Sequence, residues 1–522
     1  MRWVPGIGLG IGLWFAIAAA RSAPSSPSAP LTPPAAASPF VRVGKDGYFE
    51  ADGKRWVPWG TNYLPPPVRA ELDPKTKKRA ANDMVGLEGY LERAPEKVEA
   101  AFADMENLGY NTVRVFLRLK AWEPKFCGLD ARQYLAFDKL LLVAEKHHLR
   151  LVVTGLSLIE NNGEAPDWFA GSDDAKIAAG EACFWREFAR RYRNAPAIFA
   201  YDIQNEPSIK WNNSGRKVSG CIGDQCFVHL RQSNIADGWP FWVHTTYSNE
   251  AALKLVWKDY PKVGERWASP FTPAPENKPE DPRLWDFQKY RESIAIAWVD
   301  KMIAAIREHD TNHLITLGLV QSSVPLFRMN PWDYSGFDPR TVGRNLDFVS
   351  HHLYPMKPGC MDENAAWMQA LLSYSKIGKP VLVEEYHLFL GKFEGCPSGA
   401  PSVEGFFKLF LGRTKPLAAG WLGQYLTPDR FENEIARTFV GDMLRFSSRF
   451  SSEMKNLDPE AAGIRGLTGS GKPAKSFRPP VLTVDRKKLL TSRDAQESAW
   501  NEYYTLSKKN PLVDIRVIHE TQ

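Results

Sequence analysis

The sequence lacks the features that mark several common classes of protein. Its 66 Lys and Arg residues are dispersed, and a formal net charge of +6 is small for 522 residues. Dispersed basic residues are typical of a solvated surface, so nucleic-acid binding is not expected. The six cysteines form no CxxC pair, and no histidine lies beside them at ligand spacing. We therefore expect neither a metal site nor any other cofactor.

Two further motifs are incomplete. His351 and His352 are adjacent in a strand-like segment, so their side chains should point to opposite faces and not converge on one metal. Residues 466–472 resemble a phosphate-binding loop, but Pro473 stands where such a loop requires Ser or Thr. The sequence thus argues against a metal-dependent hydrolase and against a nucleotide-binding protein.

The N-terminal segment has the pattern of an export signal. Arg2 precedes an apolar run from Val4 to Ala20 that ends in three alanines, as at a signal-peptide cleavage site. A membrane anchor is the alternative, but the run holds four glycines and is shorter than the ~20 residues of a membrane span. We predict a signal peptide over 1–20, a disordered Ser/Pro/Ala-rich leader over 21–39, and a secreted protein, extracellular or periplasmic, without a membrane anchor after cleavage.

The six cysteines are an even set, which in an exported chain is compatible with disulfide bonds. Cys221 and Cys226 could close a small loop, and Cys360 could pair with Cys396. The 18 Trp, 17 Tyr and 28 Phe residues are also numerous. Many will be core residues, but such rings also suit stacking against the apolar faces of sugars.

From residue 40, short β-branched runs alternate with amphipathic helical segments. The eight strand candidates are Val57–Tyr63, Thr112–Arg118, Leu151–Thr154, Ile198–Asn205, Leu314–Leu319, Phe348–Tyr354, Val381–Glu385 and Gly420–Gln424. Eight alternating units predict an α/β fold, a (β/α)8 TIM barrel over residues 40–478. A long Trp-rich insertion over 207–282 follows the fourth strand and should form a wall or lid at the mouth. Residues 479–522 are charged and irregular, and we expect a short C-terminal surface extension.

Two glutamates end apolar strands. Glu206 follows Asn205 at the end of the fourth predicted strand and precedes Pro207, which restricts its backbone. Glu385 ends the seventh, and alternation places it on the same face as Val381 and Val383, with Glu384 on the other. The bland alternative is that each acid merely begins a solvated loop. Two acids at opposite strand tips of one barrel are harder to explain in that way, and they suggest a pair of catalytic carboxyl groups.

With these motifs the chain resembles clan A of the glycoside hydrolases. It is most similar to the cellulase/mannanase type of family 5, with an insertion similar to that of the family 42 β-galactosidases. The resemblance implies that Glu385 is the nucleophile and Glu206 the acid/base of a retaining mechanism. It also implies substrate-binding roles for a set of residues that match family motifs: Arg114, Asn205, His352, Tyr354, Trp421 and Trp59.

These roles imply a division of charge. Arg114 should keep Glu385 ionised, while Glu206 must hold a proton in the free enzyme. Asn205 can bind a sugar 2-hydroxyl, Tyr354 can donate to Glu385, and Trp421 would stack beneath the sugar. Arg114 could instead be a structural ion-pair partner, His352 a core histidine, and either Trp a plain core residue.

The expected activity is hydrolysis of a β-linked poly- or oligosaccharide, with β-mannan or β-glucan favoured. Two alternatives stay open: a non-catalytic carbohydrate-binding barrel, and a transglycosylase that uses the same residues. The expected partner is the carbohydrate substrate, bound by a monomer.

Overall fold

The computed structural model describes residues 38–65, 86–157, 166–169, 172–209, 232–273, 281–326, 334–355, 361–386, 403–425, 434–456 and 479–519. The predicted signal peptide and the phosphate-loop-like segment lie outside these residues. So do the proposed cysteine pairs Cys221–Cys226 and Cys360–Cys396. Within the described ranges, no helix has both the length and the apolar character required to cross a membrane.

Eight parallel strands form a closed barrel, preceded by a small antiparallel sheet. The sheet consists of β1 (Arg42–Val43), β2 (Phe49–Ala51) and β3 (Lys54–Trp56). The barrel strands are β4 (Trp59–Tyr63), β5 (Thr112–Arg118), β6 (Arg150–Ser157), β7 (Ile198–Asn205), β8 (Leu314–Leu319), β9 (Val349–Leu353), β10 (Val381–Tyr386) and β11 (Gly420–Tyr425). This confirms the predicted TIM barrel and makes β7 and β10 its fourth and seventh strands.

Helices lie between the strands. They are α1 (Gly86–Arg93), α2 (Pro95–Asn107), α3 (Leu119–Trp122), α4 (Ala131–Lys146), α5 (Asp174–Tyr192), α6 (Gln232–Tyr247), α7 (Glu250–Val256), α8 (Pro282–Arg307), α9 (Met361–Tyr374), α10 (Val403–Thr414) and α11 (Glu434–Lys455). Their apolar faces and the outward side chains of the strands form one large core cluster. A smaller cluster fills the barrel interior, where Phe49 of the first sheet packs edge-on against Phe199 and Phe348. The hairpin therefore closes the N-terminal end of the barrel, opposite the strand tips.

In the described part of the insertion after β7, two tryptophans form a core. Trp239 and Trp257 are fully buried and stack on each other with ring centroids 5.9 Å apart. The Trp257 indole donates to Asp286 on α8 at 2.7 Å, and the Trp239 indole donates to the carbonyl of Phe271. These two rings stabilise the insertion itself and are not surfaces for sugar stacking.

The prediction of an irregular C-terminal extension was wrong. After residue 479 the chain forms β12 (Val481–Asp485), α12 (Arg486–Thr491), α13 (Arg493–Lys509) and β13 (Asp514–Ile518), with β12 and β13 paired in parallel. Arg486 is fully buried and forms ion pairs with Glu292 of α8 and Asp338. The prediction failed because it took the charged residues of this segment to be exposed, whereas Arg486 is buried in ion pairs.

A disulfide joins Cys127, after α3, to Cys183 on α5. The fully buried Glu123 lies beside it and accepts a hydrogen bond from the Cys127 backbone N–H at 2.6 Å. Burial raises the pKa of Glu123 to about 8, and the nearby carboxylate of Glu181 adds to the rise. Glu123 is thus held as a neutral acid at physiological pH.

Replacing Glu123 with glutamine should stabilise the protein at alkaline pH. Because the pKa of Glu123 is about 8 in the folded chain and ordinary in the unfolded chain, ionisation favours unfolding increasingly as the pH rises from about 4.5 to 8. We expect E123Q and wild type to have similar Tm values at pH 4.5, and E123Q to melt a few degrees higher at pH 8. The exposed substitution Glu502→Gln is the control. Parallel Tm–pH curves for E123Q and wild type would contradict this assignment.

Candidate active site

The tips of β7 and β10 bring the two predicted glutamates together at the barrel mouth. Glu206 directly follows β7, has a φ of +48° and donates its backbone N–H to the carbonyl of Gly318 on β8 at 2.8 Å. A positive φ is uncommon for a residue with a side chain and is found in active sites where the surroundings enforce it. The Glu206 side chain is about one-third exposed (35%) and that of Glu385 12% exposed, so both can be reached from the cleft.

Alternation along β10 predicted that Glu385 shares a face with Val381 and Val383, and this prediction was wrong. The pairing of β10 with β9 is irregular between Val383 and Glu385, so Glu384 is an extra residue relative to β9. A bulge of this kind re-aims the side chains that follow it. As a result, Glu384 and Glu385 both point into the barrel, while Val383 packs in the outer core. Glu385 faces the site because of the bulge and not because it shares a face with Val381 and Val383.

The two carboxyl groups are close to each other and to His352. One ligand atom from each of Glu206, His352 and Glu385 lies within 4.8 Å of the other two. Such spacing would also suit a divalent cation. However, His352 Nδ1 is already hydrogen bonded to Glu206 Oε1 at 2.7 Å, so a cation would have to break that bond. We interpret the three residues as a hydrogen-bonded pair, His352 and Glu206, next to the carboxylate of Glu385.

Arg114 of β5 lies at the centre of a buried polar network. Its Nη1 donates to Glu385 Oε1 at 2.5 Å, and its Nη2 donates to Asn205 Oδ1 at 2.8 Å. Nη2 also donates to Asp202 at 2.6 Å, and Nε donates to Thr154 at 2.8 Å. The guanidinium thus fixes both Glu385 and the residue next to Glu206. The structure places Arg114 against the predicted site and not in a separate ion pair.

His352 of β9 points into the barrel, and its neighbour His351 points outward, as the sequence predicts. His351 hydrogen bonds through Nε2 to Ser375 after α9 at 2.6 Å. Burial and the charge of His352 lower the pKa of His351 to about 3, so it is neutral. Tyr354, just after β9, donates its hydroxyl to Glu385 Oε2.

The charges of the site shift the pKa values of Glu385 and His352 in opposite directions. Burial alone would raise the pKa of Glu385, but the positive charges of His352 and Arg114 and the hydrogen bond from Tyr354 lower it below its ordinary value. Burial opposes the imidazolium form of His352, yet Glu385, Glu206 and Glu384 together raise its pKa to about 10. At neutral pH the site therefore holds an ionised Glu385 and a proton on His352, hydrogen bonded to Glu206.

Deeper in the barrel, Asp202, Glu384 and Arg114 form a second group of charged side chains. Burial and the negative charge of Glu384 raise the pKa of Asp202 to about 6, against the opposing effects of Arg114 and Thr154. Burial disfavours a charged Arg114, but Glu384, Asp202 and Glu385 outweigh it and raise its pKa above the ordinary value. Arg114 is therefore a permanent cation surrounded by acids.

Trp59 and Trp421 do not lie in the site. Both are fully buried, they pack against each other with centroids 6.4 Å apart, and the Trp421 indole donates to Thr414 at the end of α10. Trp421 on β11 pairs with Trp59 on β4. The next pair along these strands, Leu422 and Gly60, faces the barrel interior. Both rings face the helices because alternation turns them away from the barrel interior. The substrate-binding role predicted for both residues, and the sugar stacking predicted for Trp421, are therefore wrong.

Several site residues were not predicted as such: Asn62, Thr154, Asp202, Gly318 and Glu384. The Asn62 side chain donates to the backbone carbonyl of Glu384 at 2.8 Å and accepts from Arg114 at 3.0 Å. Gly318 is required for space, because an added Cβ would lie 2.9 Å from Arg114 Nη2. The signal available in the sequence was a polar residue in the middle of an apolar strand, such as Asp202 between Tyr201 and Ile203.

Comparison with known proteins relates this chain to glycoside hydrolases. A family model described as beta-galactosidase of glycoside hydrolase family 42 matches residues 159–387, which include Glu206 and Glu385. The mannan endo-1,4-beta-mannosidase F of Aspergillus clavatus is 22% identical over 366 residues, which cover 66% of this chain. The match spans 61% of that relative's own length.

Solved structures share the fold. An exo-beta-1,4-mannosidase from an Opitutaceae bacterium has a TM-score of 0.55 at 15% identity and covers 91% of this chain and 72% of its own. A cold-adapted beta-galactosidase from a Rahnella species has a TM-score of 0.58 at 14% identity, over 89% of this chain and 65% of its own. At these identities the likeness concerns the barrel architecture.

Proposed function

We propose that this chain, a clan A glycoside hydrolase with relatives in families 5 and 42, is a secreted retaining enzyme that cleaves β-mannan by double displacement. The observation that carries the proposal is the pair of carboxyl groups at the barrel mouth. Oxygens of Glu206 and Glu385 lie within 4.8 Å of each other. Retaining glycosidases place their two carboxyl groups about 5–5.5 Å apart, whereas inverting enzymes need room for a water molecule between them.

In the first step Glu385 attacks the anomeric carbon. Its carboxylate is ionised because Arg114 and His352 lower its pKa, and Tyr354 holds Oε2 so that the other oxygen stays oriented by Arg114. The bond to the leaving oxygen breaks as that oxygen takes a proton from Glu206, the partly exposed member of the pair with His352. The products are a glycosyl ester on Glu385 and the released alcohol.

In the second step water replaces Glu385 at the anomeric carbon. Esterification removes the negative charge of Glu385, which makes Glu206 free to act as a base toward the incoming water. Asn205 is oriented by accepting from Arg114 through Oδ1, so its amide nitrogen faces away and can donate to a sugar hydroxyl. The sugar leaves with the configuration that it had in the substrate.

The similar proteins indicate which substrate is favoured, and the disulfide indicates the compartment. The curated relative from Aspergillus clavatus is a mannan endo-1,4-beta-mannosidase, which favours β-1,4-mannan. A β-galactoside is the second candidate, because the family 42 model covers the segment that holds both glutamates. The disulfide between Cys127 and Cys183 is typical of an oxidising compartment, and with the N-terminal pattern it supports export. Sequencing the N-terminus of the mature protein tests cleavage near residue 20.

The purified protein should hydrolyse manno-oligosaccharides faster than the corresponding gluco-, xylo- or galacto-oligosaccharides. Product length read by chromatography distinguishes endo from exo cleavage and detects transglycosylation products, and proton NMR at early times reads the anomer. We expect the β-anomer first. First appearance of the α-anomer would exclude the retaining mechanism, and faster release of galactose would favour the second candidate. No turnover of any sugar would favour the non-catalytic barrel.

A further inference from the structure

Glu384 is a buried acid that the proposed mechanism leaves without a role. It lies one residue before Glu385, at the bulge of β10, and its side chain is fully buried. Within the described part of the chain, its Oε1 has no hydrogen-bond partner. Burying an ionised carboxylate is unfavourable unless nearby positive charges compensate it. Two cationic side chains, Arg114 and His352, lie next to Glu384.

The geometry joins Glu384 to Glu206 through one imidazole ring. Glu384 Oε2 lies 3.4 Å from His352 Nε2, and His352 Nδ1 lies 2.7 Å from Glu206 Oε1. Arg114 Nε lies 3.5 Å from Glu384 Oε1. The two nitrogens of His352 therefore face two different carboxyl groups, one deep in the barrel and one at the cleft.

The backbone around this contact is shaped to permit it. A Cβ on Gly318 would lie 3.1 Å from both Glu384 Oε2 and His352 Nε2, so a larger residue on β8 would push into the pair. On the other side, Asn62 donates to the backbone carbonyl of Glu384 at 2.8 Å and holds the bulge in place. Elements on both sides of the barrel thus fix the Glu384–His352 approach.

We propose that Glu384 is a positioning residue that keeps a proton on His352 Nε2 and so directs His352 Nδ1 to Glu206. This inference rests on the proposed function for its catalytic consequence. Which ring nitrogen carries a proton is set by the hydrogen bond of the other. With Nε2–H committed to Glu384, one further proton is shared between His352 Nδ1 and Glu206 Oε1. Glu384 thereby retains the proton that Glu206 needs as an acid, although it does not touch the substrate.

Other charges act on the same ring and must be counted. The acids that face His352 are Glu206, Glu384 and Glu385, and the guanidinium of Arg114 approaches the same point at Gly318. The adjacent His351 points outward and acts on His352 only through its charge. Of the three acids, Glu206 and Glu385 belong to the reaction, so their replacement cannot separate charge from catalysis. Glu384 can be altered alone, which makes it the informative position.

The test is the titration of His352 in the full chain labelled with ¹⁵N-histidine, with the His352 signal assigned from a His352→Gln variant. In wild type we expect His352 to keep both ring protons to pH 8 or above. In Glu384→Gln the midpoint should fall by about 1–2 pH units, because one adjacent negative charge is lost. Glu384→Asp keeps the charge but moves it away from His352, so its midpoint should lie between those of wild type and Glu384→Gln. An unchanged midpoint in a folded variant would overturn the proposal; if E384Q does not fold, E384D decides in the same way.

Kinetics provide a second reading. The alkaline limb of the kcat/KM profile should move to lower pH in E384Q, whereas a purely structural role would lower kcat/KM at every pH without moving the limb. Glu123→Gln, which replaces a buried acid beside the Cys127–Cys183 disulfide, is the control and should leave the limb in place. If wild type hydrolyses no glycan, the proposed function fails while the His352 titration still decides the role of Glu384.

Discussion

Glu385→Ala is expected to lower kcat on manno-oligosaccharides by about 10⁴-fold or more. The substitution removes the atom that would form the covalent bond to the anomeric carbon. It also leaves Arg114 and Tyr354 without their shared carboxylate partner at the cleft. Circular dichroism and Tm will show whether the fold is retained. Glu502→Ala, an exposed carboxylate on α13, is the control and should keep full activity.

Added azide distinguishes loss of a nucleophile from general damage to the site. The anion fits the space that the side chain vacates and can attack the anomeric carbon from that side. The leaving oxygen still takes its proton from Glu206, and the product is a glycosyl azide of inverted configuration. Rescue by azide with that product would support Glu385 as the nucleophile. A folded E385A variant with near wild-type turnover would exclude it.

The second large effect is expected for Glu206→Gln. On natural glycans the poor leaving group needs its proton, so we expect kcat/KM to fall by about 10²–10⁴-fold. On a 2,4-dinitrophenyl glycoside the leaving group needs no proton, so the first step should remain fast. The second step then lacks its base, and a burst of dinitrophenol followed by slow turnover should appear in stopped-flow measurements. Glutamine keeps an oxygen that can face His352 Nδ1, which limits structural disturbance.

An equal loss of kcat/KM on both kinds of substrate would contradict this role. It would indicate that Glu206 supports binding or structure and does not transfer protons. E385A provides the contrast within the same assay, because it should show no burst on either substrate.

Much of the fold and the centre of the site followed from local signals. β5, β7 and β8 have the predicted bounds because each is an apolar run ended by polar residues or a turn. Glu206 was recognised because it follows a buried strand, between Asn205 and Pro207, and because a second acid, Glu385, ends another strand of the same barrel. Since parallel strands of one barrel end at the same rim, their terminal acids had to lie near one another.

The errors came from features that alternation alone does not resolve. Period two placed Glu385 on the face of Val381 and Val383, but one extra residue in β10 turned it inward, next to Glu384. A single inserted residue in a ladder leaves no mark in an apolar strand sequence. Trp59 and Trp421 were assigned to the sugar site by motif, while their register placed them under the helices. For a ring as large as Trp, core packing and ligand stacking look the same in a sequence.

Arg486 has a consequence for the order in which the chain can become native. Its two acidic partners, Glu292 and Asp338, precede it by well over a hundred residues and are buried in the folded protein. During synthesis the barrel strands can all emerge before this cation does, and the two acids must until then stay hydrated or protonated. The ion pairs that join α8 to the C-terminal segment can therefore form only after residue 486 has been made, when all eight barrel strands are already present.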